Sequence, residues 1–129
     1  MISASTLKKY DKYSQAELLK KCQMAFNKFI RLRDAENGCI SCGGKVSQAG
    51  HYLSQGHHSA LRFDENNTNG QCVRCNLFLS GNLINYRKGL VKKIGEDAVN
   101  RLESVERKAH KWERTDLIFK IEHYKLKTK

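Results

Sequence analysis

Four of the five cysteines stand in two identical spacings. Cys39-Ile40-Ser41-Cys42 and Cys72-Val73-Arg74-Cys75 are CxxC pairs with 29 residues between them. A CxxC turn sets two thiolates on one side of a metal, and two such turns complete a tetrahedral site of the structural zinc type. Cys42-Gly43-Gly44 has the knuckle form, in which glycine lets backbone amides face the sulfurs. A closed shell of four thiolates has no open coordination position, so such a zinc would tie the chain together and take no part in chemistry. No thioredoxin-like unit surrounds either pair, which argues against a redox dithiol. The remaining Cys22 falls on an apolar helical stripe and reads as a small core residue.

A second set of reactive side chains lies inside and beside the loop that these cysteines close. It holds Gly50-His51-Tyr52 and Asn67, and Asn76 follows the last cysteine directly. A neutral histidine near physiological pH can take a proton from water, as phosphodiester hydrolysis requires. A divalent cation at the scissile phosphate can stabilise the developing charge and the departing oxygen. The hard oxygen of Asn76 suits Mg²⁺ or Mn²⁺, and Asn67 suits a positioning role, bridging the loop to the strand that carries His51. Plainer readings stand beside these: a structurally satisfied His51, a turn asparagine at 67, a helix-capping asparagine at 76.

The charge points to the partner. Lys and Arg number 24 against 13 Asp and Glu, a net charge of +11 over 129 residues, which matches a phosphate backbone. No apolar run approaches a membrane span and the N-terminus lacks a signal-peptide core, so the expected compartment is the cytoplasm, where disulfides are disfavoured. Residues 39–82 carry only three basic and two acidic side chains but six of the nine glycines. The chain therefore divides into a basic helical arm (1–38), a zinc-bound core (39–95) and a C-terminal helical region (96–129).

The elements that must position these residues follow from pattern. Ser14-Gln15-Ala16-Glu17 is a capping box, and Leu18, Leu19, Cys22, Phe26, Phe29, Ile30 and Arg33 keep helical spacing until Gly38. Between Cys39 and Cys72 that period is lost. Asn66-Asn67-Thr68-Asn69-Gly70 reads as a loop by composition. A helix is predicted to begin near Cys75 and to resume through Leu83, Tyr86, Leu90, Val91 and Ile94, with Gly95 closing it. Ala98, Val99, Leu102 and Val105 start another amphipathic stretch, and Trp112 to Tyr124 continue a weaker one.

The order His51, Asn67, Asn76 resembles that of an HNH, or ββα-metal, nuclease, in which a strand holds the base, a loop the asparagine and a helix the last ligand. Several segments also resemble the phage NinG family, known too as Rap recombination proteins: QMAFNKFIRLRD from Gln23, CISCG from Cys39, AGHYLS from Ala49, LRF from Leu61, QCVRCN from Gln71 and LSGNLINYR from Leu79. This implies an α+β, mostly helical fold, a zinc-stapled ββα-metal core flanked by basic helices. It also implies a structure-specific endonuclease of a phage or prophage, acting in the bacterial host on branched recombination intermediates such as Holliday junctions and D-loops. The matching positions are His51, Asn76, Ser80, Gly81, Asn82, Tyr86 and Arg87. This chain looks shorter than typical members.

One departure stands out. The residue before the base commonly binds the metal, and here it is Gly50. A second ligand must come from elsewhere, the candidates being Ser80, Asn82, His57, His58 and Asp64. Arg62, Arg74, Tyr86, Arg87, Lys88, Lys92 and Lys93 are the expected DNA contacts, with Lys8, Lys9 and Lys12 as a flexible basic arm. A homodimer would set two active sites on opposed strands of a junction, with residues 98–124 as its interface. The alternatives are a zinc-dependent DNA-binding module without catalysis and an RNA-binding zinc ribbon.

Overall fold

The computed structural model describes residues 2–129. Helices α1 (Ala4–Lys8), α2 (Gln15–Asp34), α3 (Leu83–Ile94), α4 (Glu96–Glu103) and α5 (Arg114–Lys127) accompany two short antiparallel strands, β1 (Gln48–His51) and β2 (Thr68–Gln71). The chain is thus mostly helical with one small sheet. No helix among the described residues is long and apolar enough to cross a membrane.

The chain forms two compact units. One joins the described residues up to Phe29 with Lys111–Lys129; the other is Ile30–His110. The two chain ends therefore share a unit. The reason is visible in the first unit. Leu18, Cys22 and Phe26 of α2 and Leu117, Ile118, Ile121 and Tyr124 of α5 are all buried, and the Phe26 ring meets Tyr124 edge-on at 5.1 Å. Cys22 is the core residue expected of it. The capping box forms as read, with Glu17 N–H donating to Ser14 Oγ at 3.2 Å and Ser14 N–H to Glu17 Oε1 at 3.0 Å.

The N-terminal lysines are not a loose arm. Lys8 ends α1, Lys9 pairs with Glu122 at 3.3 Å, and neighbouring Tyr10 is buried. The amphipathic faces of residues 98–124 bury apolar side chains within the chain, while Phe119 stays exposed. Val99 and Leu102 of α4 join Tyr52, Leu61, Tyr86 and Leu90 in the core of the second unit, while the apolar face of α5 is consumed in the first.

In the second unit the last turn of α2 anchors the sheet. Asp34 is buried, and its carboxylate accepts from Gly70 N–H of β2 at 2.8 Å, from Arg33 Nε at 2.9 Å and from Lys93 Nζ of α3 at 3.0 Å. Burial pushes the Asp34 carboxyl up, but Arg33, the Gly70 amide and Lys93 outweigh it and hold the group well below the usual carboxylate range. Residues 68–70, read from composition as loop, are instead part of β2, and all four residues of that strand are buried. Asn69 is at home in this polar interior strand because its side chain finds partners: Asn69 Oδ1 accepts from Lys93 Nζ at 2.6 Å, and Asn69 Nδ2 donates to the Tyr86 hydroxyl at 3.2 Å.

The predicted helix from Cys75 onward is broken in two. A π-helical turn (Arg74–Phe78) precedes α3, and Ser80, Gly81 and Asn82 between them all have positive φ, which no helix tolerates in succession. Gly95, at φ 90°, closes α3 as the pattern required. Gly89 allows α3 to lie on the first knuckle, since a Cβ there would fall 2.0 Å from the Ile40 carbonyl oxygen.

Asp34→Asn leaves Arg33 and Lys93 facing an uncharged group. It is expected to cost about 3–5 kcal/mol, read as a lower urea midpoint at pH 7. Because the folded pKa is depressed, the wild-type advantage exists above the unfolded carboxylate pKa and shrinks as pH falls through the acid range, so the two midpoints converge there.

Candidate active site and metal centre

The two CxxC turns meet because β2 runs straight into the second one. Ile40 N–H donates to Gly70 O at 3.0 Å, pinning the first turn to the strand that ends at Gln71. Cys39 N–H donates to Gly44 O at 2.7 Å and Gly43 N–H to Cys39 O at 2.8 Å, closing the knuckle. The Sγ atoms of Cys39, Cys42, Cys72 and Cys75 all lie within 4.8 Å of one another. Zn–S bonds of about 2.3 Å in a tetrahedron need sulfurs a little under 4 Å apart, and Cys42 and Cys72 are 3.6 Å apart. Three N–H groups already point at sulfur: Gly44 to Cys42 at 3.4 Å, Cys75 to Cys72 at 3.4 Å and the Asn82 side chain to Cys75 at 3.5 Å. This donor set can hold a metal ion and fits a tetrahedral thiophilic one. Among the described residues it is the only cluster of three or more His, Cys, Asp or Glu side chains that could do so.

His51 ends β1, opposite Thr68. Its Nε2 lies 2.9 Å from the Arg62 carbonyl oxygen. A carbonyl only accepts, so Nε2 holds the proton of the neutral ring and Nδ1 keeps the free lone pair. Burial pushes the His51 pKa down from 6.5, the Arg62 carbonyl opposes that, and the Arg62 charge adds to it; the net direction is down. The ring is therefore largely neutral at pH 7, with one nitrogen oriented and the other available as a base.

Asn67 is fully buried and bridges two segments. Its Nδ2 donates to Leu53 O at 3.0 Å, its Oδ1 accepts from Leu53 N–H at 2.9 Å, and its carbonyl accepts from Tyr52 N–H at 2.8 Å. These bonds lock the loop to the residues that follow His51. Asp64, a candidate ligand, instead accepts the N–H groups of Asn66 and Asn67, each at 2.9 Å, and shapes that loop.

Asn76 lies inside the π-helical turn and caps no helix. Its Nδ2 donates to Gln48 Oε1 of β1 at 2.8 Å. Its Oδ1 faces Gly50, 2.9 Å from where a Cβ on that glycine would sit. Asn82 is drawn to the cysteines, its Nδ2 donating to Cys75 Sγ at 3.5 Å while its Oδ1 accepts from Asn85 at 3.0 Å. Ser80 is an exposed residue of the positive-φ segment, and His57 is an exposed turn residue that belongs to no cluster of His, Cys, Asp or Glu among the described residues. His58 is buried.

Three expected DNA contacts have other employment. Tyr86 is fully buried and cannot touch DNA; its hydroxyl donates to Gly50 O at 2.7 Å and accepts from Asn69, holding α3 against the strand that bears His51. Arg87 is held by Glu103 at 2.9 and 3.0 Å and by Asn100 at 3.1 Å. Lys93 serves Asp34 and Asn69. Arg74, Lys88 and Lys92 are exposed, and the Arg62 side chain lies 5.5 Å from the centre of the Phe63 ring. One residue escaped sequence reasoning altogether. Gln71 is fully buried beside Gly50, and its Oε1 has no hydrogen-bond partner. Only its place immediately before Cys72 could have drawn notice.

The family model described as "Bacteriophage Lambda NinG protein" matches residues 3–129. The chain belongs to the NinG family. Curated relatives called Protein ninG agree: those of Escherichia phage 933W and Salmonella phage P22 are 46% and 47% identical over 97 residues, and that of Escherichia phage lambda is 45% identical over the same length. Each alignment covers 73% of this chain and 47–48% of the relative. This NinG-family chain thus spans about half the length of the curated relatives it matches. No solved structure matches it.

Tyr86→Phe strands the Gly50 carbonyl and an Asn69 N–H in the interior of this NinG-family core. The expected cost is about 1–3 kcal/mol, measured by denaturant titration, with faster amide exchange in β1.

Proposed function

We propose that the chain is a metal-dependent DNA endonuclease of the HNH type that cuts branched recombination intermediates, including Holliday junctions and D-loops. The observation that carries this reading is His51: a partly buried histidine on a strand, its Nε2 proton held by the Arg62 carbonyl and its Nδ1 left basic. In this reading Nδ1 takes the proton from the attacking water, and Asn67 fixes the backbone beside the base. The four cysteines hold a structural Zn²⁺, which keeps β2 and the π-helical turn, and hence Asn76, in register with His51. A Mg²⁺ or Mn²⁺ ion bound through Asn76 would neutralise charge at the scissile phosphate and the departing 3′-oxygen. Family membership supports the choice of substrate, and the charge of +11 supports a nucleic-acid partner. Arg74, Lys88 and Lys92 are the exposed cations best placed to hold phosphates without reading sequence.

His51→Ala is expected to lower cleavage of a synthetic four-way junction by roughly 10²–10⁴-fold while a gel shift shows unchanged binding. Wild-type rates from that variant would sink the assignment. Since the His51 pKa lies below 6.5, kcat/KM should climb with pH to a midpoint below that value and then level off near neutrality. Elemental analysis should find one zinc per chain, and Cys72→Ser should lose it together with the folded core. A junction bound tightly but left uncut with Mg²⁺ or Mn²⁺ would favour a zinc-dependent binding module instead.

A further inference from the structure

The missing side chain at position 50 leaves a gap in the cation's ligand set, and the structure fills the same space from the neighbouring strand. A Cβ built on Gly50 would lie 1.8 Å from Gln71 Oε1 and 2.9 Å from Asn76 Oδ1. The two amide oxygens therefore flank the same point beside Gly50. Their directions are set by their nitrogens. Gln71 Nε2 donates to Ser41 Oγ at 2.9 Å and to Gly81 O at 2.8 Å; Gly81 O can only accept, so the oxygen of that amide must face Gly50. Asn76 Nδ2 is engaged with Gln48. Gln71 is fully buried and its Oε1 is one of only three buried side-chain polar atoms without a partner among the described residues. Leaving a buried acceptor unmet costs roughly 1–3 kcal/mol, and the cost is understandable if a ligand meets it.

We propose that Gln71 Oε1 and Asn76 Oδ1 together hold the divalent cation of the nuclease centre, Gln71 supplying from β2 the ligand that position 50 of β1 lacks. This rests on the nuclease reading for the cation's purpose, though not for its binding. Two hard, neutral oxygens suit Mg²⁺ or Mn²⁺, with water and substrate phosphate completing the shell. Asn76 is only partly buried, so the ion enters from its side. Gly50 is then a requirement of the site: any side chain there displaces the Gln71 oxygen.

The test is Mn²⁺ binding to the full chain, its cysteine site metal-loaded, followed without DNA by electron paramagnetic resonance and calorimetry. One Mn²⁺ should bind the wild type. Gln71→Met, similar in length but without a hard oxygen, should weaken binding roughly tenfold or more, and Gln71→Glu should tighten it by a like factor. Thermal melts check that each variant folds, and the Glu variant decides if the Met variant does not. Mn²⁺ affinities within twofold of wild type in the folded variants, or no Mn²⁺ bound at all, overturn the proposal and leave the Gln71 oxygen as a packing contact with Gly50. Junction cleavage by His51→Ala separates the two ideas. Wild-type rates from His51→Ala with Gln71-dependent Mn²⁺ binding defeat the assignment of His51 as base and leave this inference standing; cleavage abolished in His51→Ala with Gln71-independent Mn²⁺ binding defeats this inference alone.

Discussion

Four thiol groups within 4.8 Å of one another form the constraint on which the second unit depends. As thiolates they would repel, and a cation held among them would turn that repulsion into a strong tie in a small core. The tie joins the start of the loop-rich segment to the end of β2. Everything placed by β2 and the turn after it then acquires a fixed position relative to β1: Asn69, Gln71 and Asn76 on one side, Gly50 and His51 on the other.

Around that tie the fold uses buried polar groups where a larger domain would use apolar ones. Asp34 gathers the end of α2, β2 and α3 through one carboxylate. Tyr86 gathers β1, β2 and α3 through one hydroxyl. Asn67 stitches its loop to Leu53 with a reciprocal pair of bonds. Such networks stabilise little on balance, but each member is intolerant of losing its partner, so they specify a single arrangement. A site that must orient an imidazole and an amide oxygen gains from that rigidity.

A few basic residues are engaged within the chain while many others stay exposed. Lys93 and Arg87 belong to internal ion pairs, and Lys9 to another in the first unit. The exposed cations Arg74, Lys88 and Lys92 lie on the turn after the second knuckle and on α3.

The sequence by itself determined what depends on local chemistry. CxxC spacing makes a thiolate pair wherever it occurs, Ser14 and Glu17 cap α2, Gly95 ends α3, and the apolar stripes of α2, α4 and α5 follow from a period of 3.6 residues. Tertiary structure decided what depends on partners distant along the chain. Thr68 to Gly70 reads as loop because its polarity is visible and its partners Arg33, Asp34, Tyr86 and Lys93 are not. Tyr86 and Lys93 read as DNA contacts for the same reason. Gly50 reads as a lost ligand until Gln71, 21 residues later and diagonal to it across the sheet, is seen to occupy the space a Cβ would need. Helical period and knuckle spacing are properties of a few consecutive residues; the pairing of buried polar groups is a property of the folded whole, and the setting of His51 is fixed by the second.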